Sequence, residues 1–380
     1  MIVHIWNRRR FQASRFFVLT LPLVLAGCGA GTVQLYHPPV SHVTPSSAPS
    51  ATPSAARSAT PTPSPAPSAT PTATASPSPT PTATPQPAAI LVANQNSNAV
   101  TGYPAGAAGN EAPVATISGS NTGLGAPVGI DVDSHGNIYV ANLFTVTVYP
   151  PISAGILNEA PTATINVNNG GVTLYGMGID ASGKIYVAYP GTIAIYAANP
   201  TGTVNSAPIT TISGSNVKLA ETHSIAFDAA QRVYVTDNVY GIEVYPPVPN
   251  IPSGNLNEAP IANIPRNSTT GLNYPWGIAL DSSGRIYTLD SGNIYVFPAD
   301  PVGTVSEAPL ATISGSNTGL DGGNDGLSLG PTGVIFASNR NASNIEEFAA
   351  NPTGTLDEAP IAVLSGAATG ISGPTATAVR

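Results

Sequence analysis

The sequence predicts an all-β fold made of one four-stranded unit repeated six times and shut into a ring. Three observations carry that expectation. Only 8% of the 380 residues are charged while 38 are Gly and 39 are Pro, a balance that suits short strands and tight turns rather than helices. An Ala-Pro pair followed by a β-prone stretch recurs, with its proline at Pro113, Pro161, Pro208, Pro260, Pro309 and Pro360; the spacings of 48, 47, 52, 49 and 51 residues suit four-stranded blades and not helical solenoids. The ends of the array are complementary, because the first unit lacks an opening strand and the chain finishes on such a strand with nothing after it. The predicted architecture is a six-bladed β-propeller over residues 89–380, closed by a split blade and preceded by a signal peptide (1–27) and a disordered linker (28–88).

Residues 1–27 have the parts of an export signal: Arg8, Arg9, Arg10 and Arg15, an apolar run from Phe16 to Leu25, and small residues before Cys28. The segment is too short and too one-sidedly flanked for a stable membrane span. Leu25-Ala26-Gly27-Cys28 resembles the lipobox of bacterial lipoproteins. That resemblance implies cleavage before Cys28, diacylglycerol on its thiol, and anchorage to the cell membrane or, with Gly29 in place of Asp, to an outer membrane where one exists. The expected location is the periplasm or the cell surface. Cys28 is the only cysteine, which excludes an internal disulfide. Removing the signal takes four arginines and no acid from a formal charge of −8, leaving about −12. Such a chain repels polyanions, so nucleic acid is excluded as an expected partner and anionic membrane surface is a poor one.

From Pro38 to Pro87 the chain is almost entirely Pro, Ser, Thr and Ala, as in Thr60-Pro61-Thr62-Pro63-Ser64-Pro65. Proline removes backbone donors and little apolar bulk is available to bury, so the tract is read as a spacer. In polyproline II its ~50 residues would reach about 150 Å, less where Ser and Thr relax it.

Each unit divides into strands by alternation and turn chemistry. Strand A is Val128–Asp133 in the second unit and Gly277–Asp281 in the fifth. A tight turn follows, as in Asp133-Ser134-His135-Gly136 and Asp281-Ser282-Ser283-Gly284, where Asp caps the turn backbone and Gly accepts positive φ. Strand B reads Ile138-Tyr139-Val140-Ala141 or Ile185-Tyr186-Val187-Ala188. Strand C ends on an aromatic in every unit: Tyr103, Tyr149, Tyr196, Tyr245, Phe297 and Phe348. Strand D follows the Ala-Pro pair. The first unit opens directly at strand B, Ile90–Asn94, and the tail Gly373–Val379 has the character of its missing strand A.

The pattern Pro-x-Gly-Ile-x-x-Asp followed by Gly-x-Ile-Tyr-Val-Ala-Asn resembles the NHL repeat, a propeller-blade motif, in five complete units and one split unit. The resemblance implies the fold; relatives include scaffolds, ligand binders, lactonases and lyases, so it does not fix an activity. Two units depart from the pattern, with Glu221-Thr222-His223-Ser224 and Asn324-Asp325-Gly326 where Pro-x-Gly is expected.

Strand direction alternates within a blade, so the D-to-A links and B-to-C loops share the face around the channel mouth. The candidate binding residues there are Glu221, His223, Trp276 and Asp325, with Tyr274 and Asp321, from the links, and Asn142, Asp237, Asp290 and Asn339, with Asn94 and Asn238, from the loops. This set suits a sugar, a peptide or an oxygen-bound Ca²⁺, while Asn and Asp at strand ends are equally ordinary loop caps. His223 is the one histidine expected near the mouth; His135 belongs to the opposite face. No Cys/His metal spacing, nucleophilic serine motif or phosphate-binding loop is present, and no cofactor is expected. The leading expectation is a monomeric, membrane-anchored binding module for a protein, peptide or glycan. The alternatives are a Ca²⁺-dependent lactonase or a lyase using His223 with Glu221 or Asp325, and a structural surface protein. On the other face Glu111, Glu159, Glu258, Glu307 and Glu358 precede the Ala-Pro pairs. They are expected to form a solvated rim that keeps strand D from pairing with neighbours.

Overall fold

A computed structural model describes residues 89–167, 170–248 and 254–380, without the side chains of Asn324 and Asp325. The predicted signal, Cys28 and the linker lie outside the described residues. The described chain forms six sheets whose four main strands run antiparallel in the order A-B-C-D outward. Blade 1 consists of Pro374–Val379, Ile90–Asn94, Ala99–Tyr103 and Ala115–Ile117. Blade 2 is Gly129–Val132, Ile138–Ala141, Thr145–Tyr149 and Ala163–Asn166; blade 3 is Gly176–Ile179, Ile185–Tyr189, Thr192–Tyr196 and Thr210–Ser213. Blades 4, 5 and 6 open with Thr222–Phe227, Pro275–Leu280 and Asn324–Leu329.

Closure by a split blade is observed. The C-terminal strand pairs antiparallel with the first one, Ile90 facing Val379 and Ala93 facing Ala376, and Arg380 N donates to Ala89 O at 2.9 Å. Both ends of the described chain therefore lie on the face of the A-to-B turns, opposite the mouth.

Strand B reads as a continuous apolar run because it is covered on both sides by adjacent blades, and Ile90–Asn94, Ile138–Ala141 and Ile286–Asp290 are buried along their whole length. The core consists of clusters between consecutive blades: Val140 and Tyr149 of blade 2 pack with Leu91 and Ile117 of blade 1. The aromatic that ends strand C is buried there, and in blades 1, 2 and 4 its hydroxyl finds a carbonyl in the link leading into its blade, as in Tyr149 Oη donating to Thr122 O at 2.6 Å. The tyrosine of strand B reaches the turn Asp instead, Tyr186 Oη to Asp180 Oδ2 at 3.2 Å. At the axis the inner strands approach closely: a β-carbon on Gly277 would stand 2.7 Å from Leu327 N of the next blade, which accounts for Gly in the Pro-x-Gly pattern.

One expectation is corrected. Strand D is not left unpaired by its acidic loop. The connection from C to D of each following blade lays a short strand parallel to it: Gly155–Leu157 on Ala115–Ile117, Gly202–Val204 on Ala163–Asn166, and Gly354–Leu356 on Ala311–Ile313. Blade 1 closes this outer ring by a bridge from Gly109 to Leu364 of blade 6. The acids sit just beyond these strands, and the residue before them locks neighbouring blades. Asn158 Oδ1 accepts from Asn121 N at 3.1 Å, and the asparagine side chain occupies the place of a β-carbon on Gly119, whose φ is +115°.

Candidate binding site at the channel mouth

The six A strands enclose a channel of about 630 Å³. The residue at the middle place of the Pro-x-Gly pattern lines it even where its neighbours depart from Pro and Gly, as Val128, His223, Trp276 and Thr375 show. At the mouth each blade contributes a side chain: Gln95, Leu143, Tyr175, His223, Trp276 and Arg340 in turn.

His223 is the centre of this group. Its ring lies 4.0 Å from that of Trp276 and 4.8 Å from that of Tyr175, centroid to centroid, and only 4% of the residue is exposed. Nε2 pairs with Asn238 Nδ2 at 2.7 Å, whereas Nδ1 and Asn238 Oδ1 are buried with no hydrogen-bond partner. Burial pushes the imidazole down to about 4, so the ring is neutral at pH 7. With a neutral ring, the His223–Asn238 pair presents one unmet donor and one unmet acceptor whichever way the amide is turned.

Arg266 extends the network by bonding Asn238 O and by stacking on Tyr274, with its guanidinium carbon 4.7 Å from the ring centroid. Across the mouth Arg340 bonds the Gln95 side chain. Deeper in the channel Asp131 ties blade 2 to blade 3 by accepting from Ile179 N at 2.8 Å, and burial raises its carboxyl to about 6.

The mouth face is uneven. Phe144, Val172, Tyr175, Val239, Tyr240 and Tyr274, all on links and loops of blades 2–5, are 38–47% exposed, whereas the Gln95–Arg340 side of blades 1 and 6 is polar.

Of the residues singled out in the sequence, His223 and Trp276 meet at the channel. Glu221 does not join them; its side chain is exposed and its carbonyl accepts from Asn238 N. Asp325 is backbone only, its side chain lying outside what is described. Asn142, Asp237, Asp290 and Asn339 turn away from the channel and hold the link that leads into their own blade. Asn142 Oδ1 accepts from Gly125 N at 2.8 Å, Asp290 takes Asn273 N at 2.7 Å and Tyr274 N at 2.9 Å, and Asn339 Nδ2 donates to Gly319 O at 2.9 Å. Asp237 takes Ala220 N at 2.7 Å, Val239 N at 2.9 Å and Tyr240 N at 3.1 Å. Asn94 does the same for the closing blade, taking Ser372 N at 3.0 Å. Tyr175, Gln95 and Arg340 were not singled out by type or spacing. Among the described residues no three His, Cys, Asp or Glu side chains come together as a metal set.

Comparison with known proteins agrees with this architecture. Residues 272–293 match the NHL repeat. No curated protein matches the chain in sequence. A protein of unknown function from Bacteroides caccae shares the fold with a TM-score of 0.50 at 12% identity, over 78% of this chain and 100% of that one. A chain in a crystal structure of a nidogen/laminin complex does so with a TM-score of 0.52 at 9% identity, over 77% and 97%. A virginiamycin B lyase from Staphylococcus aureus overlaps less, with a TM-score of 0.39 at 13% identity, over 59% and 66%. At these identities the likeness is one of fold alone. The chain is thus a six-bladed β-propeller that carries an NHL repeat.

Proposed function

We propose that the protein is an exported binding module, held to a membrane through lipid on Cys28, that captures a protein, peptide or glycan at the channel mouth. The observation that carries the reading is the set of exposed aromatic side chains of blades 2–5, Phe144, Tyr175, Tyr240 and Tyr274, on the same face as the His223–Trp276 pair, since rings left in water beside a channel offer a partner apolar area to cover. Tyr and Trp bring large contact area at low entropic cost, and the unmet donor and acceptor of His223 and Asn238 give a ligand polar groups to satisfy. Residue 89 lies on the face opposite the mouth, so the described chain enters the ring away from the proposed binding surface. The test is to probe the full chain against peptide and glycan arrays beside a Tyr175→Ala, Tyr274→Ala double variant. Binding lost in the variant at unchanged melting temperature is expected. No binding, or binding that the variant retains, overturns the proposal.

A further inference from the structure

Every inner strand ends on an apolar residue that lines the lower part of the channel: Val132, Ile179, Phe227, Leu280, Leu329 and Val379. The six form one layer, because each stands opposite the first residue of its strand B, as Leu280 faces Ile286 and Val379 faces Ile90. Each packs on the apolar cluster between its own blade and the preceding one, yet stays partly exposed. Two residues nearer the mouth the same strands place Ile130, Met177, Ile225, Ile278 and Leu327 on the channel, with Thr377 completing the layer.

The polar side chains at these depths are already bonded to protein. Asp131 Oδ1 accepts from Val132 N at 2.7 Å and Oδ2 from Ile179 N at 2.8 Å, while the Ser328 and Thr377 hydroxyls pair with each other at 2.6 Å. At the lower end Gln231 Oε1 accepts from Ala181 N at 2.7 Å and Nε2 donates to Asp228 O at 3.0 Å. Below the mouth, therefore, these side chains offer a ligand apolar surface and no unmet hydrogen bond. The upper end differs, because Gln95, His223 and Arg340 line it and His223 keeps Nδ1 unmet.

We propose that the channel is a binding site for the unbranched aliphatic chain of an amphiphile, whose polar head stays at the mouth beside Gln95, His223 and Arg340. The four residue steps of strand from His223 to Phe227 span about 13 Å. That depth takes roughly ten carbons at the length of a C–C bond, and the volume of about 630 Å³ is that of a small-molecule site. An alkyl chain leaves no polar atom unpaired there, and it displaces water to which the committed side chains give little. The site is built from the inner strands and does not depend on a macromolecule docking on the exposed rings around the mouth.

Calorimetric titration of the full chain with 1-hexanol, 1-octanol and 1-decanol tests it. One equivalent is expected to bind, with affinity rising about fourfold for each added CH₂. No binding, or equal affinity along the series, overturns the proposal, and this comparison is made on the unmodified chain. The Leu280→Asn, Leu329→Asn double variant alters two neighbouring members of the lower layer. It is expected to remove the gain from octanol to decanol while leaving hexanol binding unchanged. A gain that the folded variant retains would put the chain elsewhere on the protein and would overturn the proposal, as would an equal loss for all three alcohols.

Discussion

Asp237 and Asn238 are adjacent in sequence at the end of one strand, yet they belong to different kinds of structure. Every oxygen of the Asp237 carboxylate is filled by backbone N–H groups or the Thr222 hydroxyl, at 2.7–3.3 Å, and the residue fastens a link to its blade. Asn238 holds His223 and keeps its own oxygen unmet. The same contrast separates the ring of strand-end latches, Asn94, Asn142, Asp237, Asp290 and Asn339, from the His223–Tyr175–Trp276 cluster on the same face. Residue type does not tell architecture from recognition in a propeller; whether the polar atoms are already spent on the backbone does.

Three perturbations break or sharpen this contrast. Deleting residues 374–380 has the largest expected effect: strand B of blade 1 loses its inner partner, the Asn94 latch loses its purpose, and cooperative thermal unfolding should disappear from circular dichroism melts. A chain that still melts cooperatively would show that the ring holds without its seam. Asp237→Ala comes next, at about 3 kcal/mol of lost stability in urea titrations, since three backbone N–H groups and the Thr222 hydroxyl lose their acceptor at once. A loss below 1 kcal/mol would demote the latch to decoration.

The smallest effect belongs to His223 and depends on pH. Its folded value is depressed from 6.5 to about 4, so the unfolded chain takes up the proton first as pH falls. Stability is complete above 6.5 and is lost between 6.5 and 4, at no more than about 1.4 kcal/mol per pH unit. His223→Gln should flatten that part of the urea-midpoint profile; an unaltered slope would show that the ring is not shielded.

Much of the fold was legible in the sequence because blade strands are covered on both faces and the turns between them need particular residues. Ile-Tyr-Val-Ala and Asp-x-x-Gly report those demands locally, as Ile138–Ala141 and Asp133–Gly136 illustrate. The outer parallel strand was not legible, because Gly155–Leu157 is short, largely exposed and paired only with the preceding blade. A recurrent Gly-x-Leu or Gly-x-Val a few residues before the Ala-Pro pair of blades 2–6 was its signal, as in Gly202–Val204 and Gly354–Leu356. At the mouth, His223 and Trp276 were found because they occupy the middle of the Pro-x-Gly position. Tyr175 and Arg340 come from links and loops whose course a periodicity does not fix.

The seam also has a mechanical meaning. A pull applied at residue 89 runs along strand B of blade 1, which is flanked by register pairs with Ala99–Tyr103 on one side and Pro374–Val379 on the other. Hydrogen bonds lie across the direction of such a load and must yield together in shear rather than one after another as in a zipper. Tension entering at residue 89 would thus meet the ring where both neighbours brace the loaded strand.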